Sequence, residues 1–480
     1  MDFLDPKKKR AHNIRLMIGY CLMSVVLLII SIYFTLSAFG FGVDTKTGQI
    51  IQNGLVFIDS KPVSATVYIN GKEKDQTDSR LLLPTGRQEV RLQRQGYRPW
   101  NYAFDLEAQS VERLVYPVLF PEVLSSSNVA SFASNPAFVS QSPDRKWLAV
   151  TRPGTANVFD FYDLSSKQTT ARSIRLPSSV LSSGKGHSYQ LVDWAKDNKR
   201  LVLRHSFGKK SEYILIHREN EAAAVNLTKH FNGVTLTTLT LRDKDVADFY
   251  LHDTKTRVLS SISFATKRQT TVLNNVQQFK SHGKSDILFV TPGAEKNKVS
   301  LAYFDGKTTR TIWSLAAAQS HLLDIARFDN EWFMVAGNDK EDKAYIFRDP
   351  FGSGSTSGKV VPSIAITQDN PQFLSFSPNA RFITLQNGKN ISMYDAETQR
   401  KYMYKTPIDA DSKTKFSWMD GFRLMTIHNK QLVVWDFDGT NAQILVNTPT
   451  LPFFSNNYET LFSISSDKKP QLAKTPLVVN

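Results

Sequence analysis

The rhythm of apolar and polar positions changes twice along this chain. Residues 16–43, LMIGYCLMSVVLLIISIYFTLSAFGFGV, hold no charge at all. At about 1.5 Å per residue they predict ~42 Å of helix, more than the ~30 Å a bilayer core demands. From Gly54 to Pro121 the period becomes two. Ala65, Val67 and Ile69 share one face and Thr66 and Tyr68 the other; Val90 and Leu92 alternate with Glu89, Arg91 and Gln93, and Tyr102, Phe104 and Leu106 continue the pattern. Asn70-Gly71 between alternating runs predicts a two-residue hairpin, whose central positions both need positive φ. Gly86 and Gly96 stand at strand ends with the same need. The expectation is a β-sandwich over 54–121.

Beyond residue 122 the pattern is a weak repeat of polar turn and short apolar strand. SPDRKWLAV (142–150) returns as SPNARFITL (377–385), and looser copies are AKDNKRLVL, FDNEWFMVA, MDGFRLMTI and SNNYETLFS. Degraded copies are RDKDVADFYL and SHGKSDILFV. Several are trailed by a strand ending in an aromatic and an aspartate: FDFYDLSSKQT, LAYFDGKTTRT, ISMYDAETQRK and VVWDFDGTNAQ. Strand, turn, strand at intervals of about 40–50 residues predicts propeller blades. The fold class expected is therefore mainly β: a transmembrane helix, a small β-sandwich, then a seven- or eight-bladed β-propeller over 122–480, eight preferred. A pair of β-sandwiches is the rival, and TIWSLAAAQSHLLDIA is the best helical candidate.

Charge orients the first segment. Lys7, Lys8, Lys9, Arg10 and Arg15 face only Asp2 and Asp5 in residues 1–15, so the positive-inside rule makes that tail cytoplasmic and puts the bulk of the chain outside, as a single-pass cell-membrane protein. A cleavable signal peptide is the alternative; its apolar region is usually about 7–15 residues, and small residues at Ala38 and Gly40 leave cleavage open. Cys21, the single cysteine, sits inside the apolar run, so no intrachain disulfide supports the exported part. The net charge of +15 comes without a dense basic block after Asp44. That leaves nucleic-acid binding without a footprint and allows mild attraction to anionic lipid or wall polymer.

IDSKPVSATVYINGK followed by LPTGRQEVRLQRQGYRPW resembles a PEGA domain, through Ser60, Pro62, Ala65, Val67, Tyr68, Ile69, Asn70, Gly71, Gly86, Val90, Leu92, Gly96 and Tyr97. PVSA replaces the motif that names the family, and the usual Thr-Pro after the hairpin is missing. The resemblance implies a bacterial extracytoplasmic module without catalytic residues, often a spacer beside a membrane helix. SPDRKWLAV is similar to the repeat of TolB-type propellers.

Catalytic lookalikes lack their context. VVWDFDGTN spells the nucleophile motif of haloacid-dehalogenase-type phosphatases, Asp436 as nucleophile and Asp438 as acid/base, but the chain after Asp438 contains Asp467 and no acidic pair for magnesium. GSGSTSGKV (352–360) lacks the first glycine of a phosphate loop and has Val360 where magnesium needs Ser or Thr. Asp409 and Asp411 echo a calcium loop interrupted by lysines. The nine histidines, His187 and His428 among them, are dispersed without a cysteine partner. No catalytic residue, cofactor or metal is expected. The function expected is a non-enzymatic envelope scaffold displaying the propeller to a protein, glycan or cell-wall polymer. The alternative is an envelope hydrolase or lyase with its site in the propeller channel.

Overall fold

The computed structural model describes all residues except 1–5, 39–40, 44–49, 167–168, 353–359, 466–468 and 479–480. It divides into two units, Met1–Val123 (with Val478–Asn480) and Leu124–Leu477.

In the first unit a helix runs over Pro6–Ala38. Proline suits its first position, where the missing N–H would have no partner anyway. Its membrane-length portion is His12–Leu36, 25 residues with none of the most apolar window buried. The expectation of one helix over 16–43 is corrected at its end: Phe41–Val43 is a strand paired with Ile50–Gln52. A sheet edge satisfies those backbone groups as well as another helical turn would.

Two four-stranded sheets complete the unit. In one, Ile50–Ile58 pairs antiparallel with Ser79–Pro84 and parallel with Val111–Leu114. In the other, Thr66–Ile69 lies between Lys72–Gln76 and Gly86–Gln93, with Trp100–Leu106 outermost. Val56, Ile58, Ala65, Val67, Leu92, Trp100 and Leu114 form the buried interior. Asn70 has φ 51° and Gly71 φ 76°. The Asn70 side chain adds two bonds, accepting the Glu89 N–H at 2.8 Å and donating to Gln88 at 3.0 Å. Gly86 and Gly96 stand at φ 106° and 78°.

The second unit is a β-propeller of eight four-stranded antiparallel sheets. The blades begin, from the axis outward, at Val139, Ser188, Thr238, Gln278, His321, Phe373, Ser417 and Phe453. Each of the eight repeat copies forms the turn into the second strand of one blade, and the aromatic–aspartate endings close third strands. The eighth blade takes its outer strand, Ser127–Ser131, from the start of the unit and pairs it with Gln471–Pro476. That closes the ring by tying the start of the unit to its end.

The turns share one construction. Trp147, Phe382 and Thr460 each donate their N–H to a serine hydroxyl five residues earlier, at 3.0 Å. The fourth turn residue is left-handed in each, Arg145 (φ 61°), Ala380 (59°) and Tyr458 (61°), as is Asn198 (57°) in the second blade. Alternation on the strands puts apolar faces between blades, so the core is a series of interblade layers, such as Phe161, Ile174, Trp194 and Leu203 between blades one and two. The helical candidate TIWSLAAAQSHLLDIA is two strands, Thr309–Ala316 and His321–Phe328. Its Leu315, Leu323 and Ile325 all enter one interblade layer, and that burial overrides the local helical propensity.

Candidate binding surfaces of the propeller

The aspartate of the phosphatase lookalike is a blade residue. Asp436 ends the strand Gln431–Asp436 and is buried. One carboxylate oxygen lies 3.4 Å from the buried Arg423 guanidinium and the other accepts the Asn441 amide at 2.9 Å. Arg423 also holds Asp420 at 2.6 Å. The neighbouring blade repeats the device: Asp395, fully buried, takes both prongs of Arg381 at 2.9 and 2.6 Å. Asp438 bonds the N–H and hydroxyl of Thr440 at 3.0 and 2.7 Å. The pair thus belongs to the one turn that joins Gln431–Asp436 to Gln443–Asn447. Asp467 and residues 353–359 of the phosphate-loop lookalike lie outside the described residues. Asp411 is spent on the N–H groups of Lys413 and Thr414, and Asp409 on Lys389. Among the described residues no three His, Cys, Asp or Glu side chains gather as metal ligands.

Three arrangements remain on the propeller. The first is a groove of ≈ 800 Å³ along the axial strands of blades three and four. Period two points Leu239 and Leu241 into the interblade layer and leaves Thr240, Lys280 and His282 to line the groove, beside Asp193 and Lys244. Burial raises the Asp193 carboxyl despite the pull of Lys244 and a bond from the Trp194 N–H at 2.8 Å. On the axial strand of the fifth blade burial also raises Asp324, against the pull of Lys280 and Lys415. Such a lining offers donors, acceptors and mixed charge to an extended polar ligand.

The second is a cleft of ≈ 580 Å³ where the last and first blades meet. Two loops that lead into axial strands build it, residues 132–138 and 448–452. Pro136, Phe138, Val139, Pro449, Leu451 and Phe453 line it. Leu451 keeps 37% of its surface exposed.

The third is a relay in the second blade that the dispersed histidines concealed. Glu212, buried, accepts from the Ser182 N–H (2.9 Å) and hydroxyl (2.7 Å), from Asn226 (2.8 Å) and from His205 Nδ1 (2.9 Å). With that nitrogen protonated, His205 Nε2 accepts from His187 Nδ1 at 2.8 Å. Tyr189 and Phe207 stack on His205, with ring centroids 4.9 and 5.0 Å away. Burial lowers the His205 pKa, and Glu212 opposes that shift. For Glu212 burial works upward, but the four donors outweigh it and hold the carboxyl below its usual range. The signal was present in HSFGKKSE: His205 and Glu212 are equidistant from the two-residue turn Gly208-Lys209 and become cross-strand partners.

Residues 53–116 match the PEGA domain. No curated protein matches the sequence. Among solved structures the chain is similar to the Dos1 propeller, at 14% identity over 74% of this chain and 95% of that one, with TM-score 0.44. It is also similar to an oligogalacturonate lyase in complex with manganese (12%; 74% and 98%; 0.37). A third is the Cps50 (Swd1) β-propeller domain of Myceliophteria thermophila (10%; 74% and 100%; 0.33). Nothing of their chemistry passes to this chain.

Proposed function

We propose that the protein is a membrane-anchored binding platform: residues 12–36 span the bilayer with the basic end cytoplasmic, and the PEGA domain and propeller stand outside. The ligand is a protein segment that seats an apolar side chain in the cleft between the last and first blades. The observation that carries this reading is the cleft itself, an apolar hollow of ligand-accommodating size ringed by loops. The candidate nucleophile Asp436, by contrast, is held within a blade by Arg423 and Asn441.

The test is capture of envelope proteins by the detergent-solubilised full chain, with Leu451→Glu and Ala137→Glu as paired variants. Both side chains are exposed, so both variants should fold. Loss of one captured protein with each variant supports the cleft, and capture indifferent to both refutes it.

A second reading rests on the axial strands, one of whose acids, Asp193, lines the groove. Asp193 and Asp324, raised by burial on axial strands, are the residues a hydrolase or lyase in the channel would use as acids. Turnover of an envelope polysaccharide that vanishes in Asp193→Asn or Asp324→Asn would establish it.

A further inference from the structure

Among the described residues, one face of the first sheet in the PEGA unit has no cover. Its rows run across three strands. Leu55 is paired with Leu82 on one side and Val111 on the other; two residues on, Phe57 is paired with Arg80 and Arg113. Leu82 is 69% and Val111 53% exposed, against a protein core on the opposite face in which Val56 and Ile58 are fully buried. Both guanidiniums lie over the Phe57 ring, at 5.6 and 5.4 Å from its centroid. The next residue pointing this way is Asp59, whose carboxyl is raised first by burial and then by the nearby Asp78. The face is therefore graded along the strand, apolar, then cationic, then acidic, with about 6.7 Å between rows.

Along the chain this face is close to the apolar helix. Ala38 ends the helix and Phe41 already pairs with Gln52. Fully extended chain therefore places Gln52 within ~15 Å of the helix end, and Leu55 within ~25 Å. A bilayer surface offers hydrocarbon edge and phosphate together, and the exposed Leu82 and Val111 suit the first. Arg80 and Arg113, one row away, offer charge-assisted bonds to lipid phosphates.

We propose that this face, Leu55, Leu82 and Val111 with Arg80 and Arg113, rests on the outer surface of the bilayer that holds the helix, with anionic phospholipid head groups as its ligand. The proposal rests on the membrane-spanning reading of residues 12–36. Such docking would fix the PEGA unit against the membrane, where a tether alone would leave it free to swing.

The test uses the full chain in nanodiscs of phosphatidylcholine, alone or mixed with phosphatidylglycerol, with spin-labelled lipid as quencher. One sample carries a fluorophore on native Cys21, inside the helix. Others carry Cys21→Ser with Leu82→Cys or Lys74→Cys as the labelled site, Lys74 being on the exposed strand Lys72–Gln76 of the other sheet. Quenching severalfold stronger at position 82 than at 74 is expected, rising with phosphatidylglycerol, and the rise should be lost in Arg80→Glu/Arg113→Glu. Equal quenching at 82 and 74 while Cys21 is quenched overturns the docking and leaves the anchor standing. An unquenched Cys21 overturns the anchor, and the docking with it. Fluorophore self-quenching at 82 without lipid quenching assigns the face to a second copy of the chain, which also overturns the proposal.

Discussion

Replacing Asp436 by asparagine separates a blade residue from a nucleophile. In the fold its carboxylate shares Arg423 with Asp420, and the guanidinium and both acids are at most 10% exposed. Removing one partner of a lone buried ion pair costs about 3–5 kcal/mol, because a bare charge stays behind. Here Asp420 remains 2.6 Å from Arg423, so that penalty is not incurred. What is lost is the charge assistance of the Arg423 contact, and the new amide must turn its NH2 toward one of two donors, Asn441 or Arg423; together these cost about 2 kcal/mol. Arg423→Met removes the cation that both acids face and should reach about 3–5 kcal/mol. At about 2.1 cal/mol/K of unfolding entropy per residue, the 354 residues of this unit give ~0.74 kcal/mol/K. The expected losses in Tm are then ~3 °C for Asp436→Asn and ~4–7 °C for Arg423→Met. Calorimetry on the detergent-solubilised chain reads both. Equal losses, or an unchanged Tm in Arg423→Met, would refute the shared-cation argument. Magnesium-dependent release of phosphate from an aryl phosphate, present in the wild type and absent in Asp436→Asn, would refute the non-enzymatic assignment of this residue.

The His205 relay predicts acid sensitivity. Burial lowers His205 in the fold, against Glu212, with His187 and Tyr189 as the other titratable groups facing it. Its contribution to stability is thus complete above the unfolded value near 6.5 and is lost as pH falls through the folded one. His205→Gln should flatten the fall in Tm between about pH 7 and about pH 5, and an unaltered slope would assign the acid sensitivity elsewhere. At Gly71 a Cβ would meet nothing within 4 Å, so the cost of substitution is conformational alone. Gly71→Val should destabilise the PEGA unit by about 1–2 kcal/mol and Gly71→Asn by much less, measured by amide exchange at Lys72–Gln76; equal costs would mean that φ is not the cause. Protease applied outside intact cells with a permeable wall should digest the chain beyond Asp44 and spare a tag placed before Lys7, and the reverse pattern would invert the topology.

The features legible in the sequence are local ones. A charge-free run long enough for a bilayer, strict alternation and Asn-Gly between strands each act over a few residues, because backbone sterics and side-chain burial set them without distant help. The eight blade turns were legible for the same reason: each is built from a few adjacent residues, and three of them enclose the same hydroxyl-to-N–H bond and left-handed residue. Tertiary structure decided whatever required two distant segments to meet. Ser127–Ser131 joins Gln471–Pro476 across the length of the unit, and only ring closure brings it there. Leu315 and Ile325 sit in a stretch with helical patterning, yet an interblade layer draws them into strands on either side of a turn. The apolar cleft combines loops from the first and last blades. Arg423 reaches Asp436 because adjacent antiparallel strands set them opposite one another. Spacing along the chain fixes which residues alternate; which alternating faces meet is a property of the closed ring.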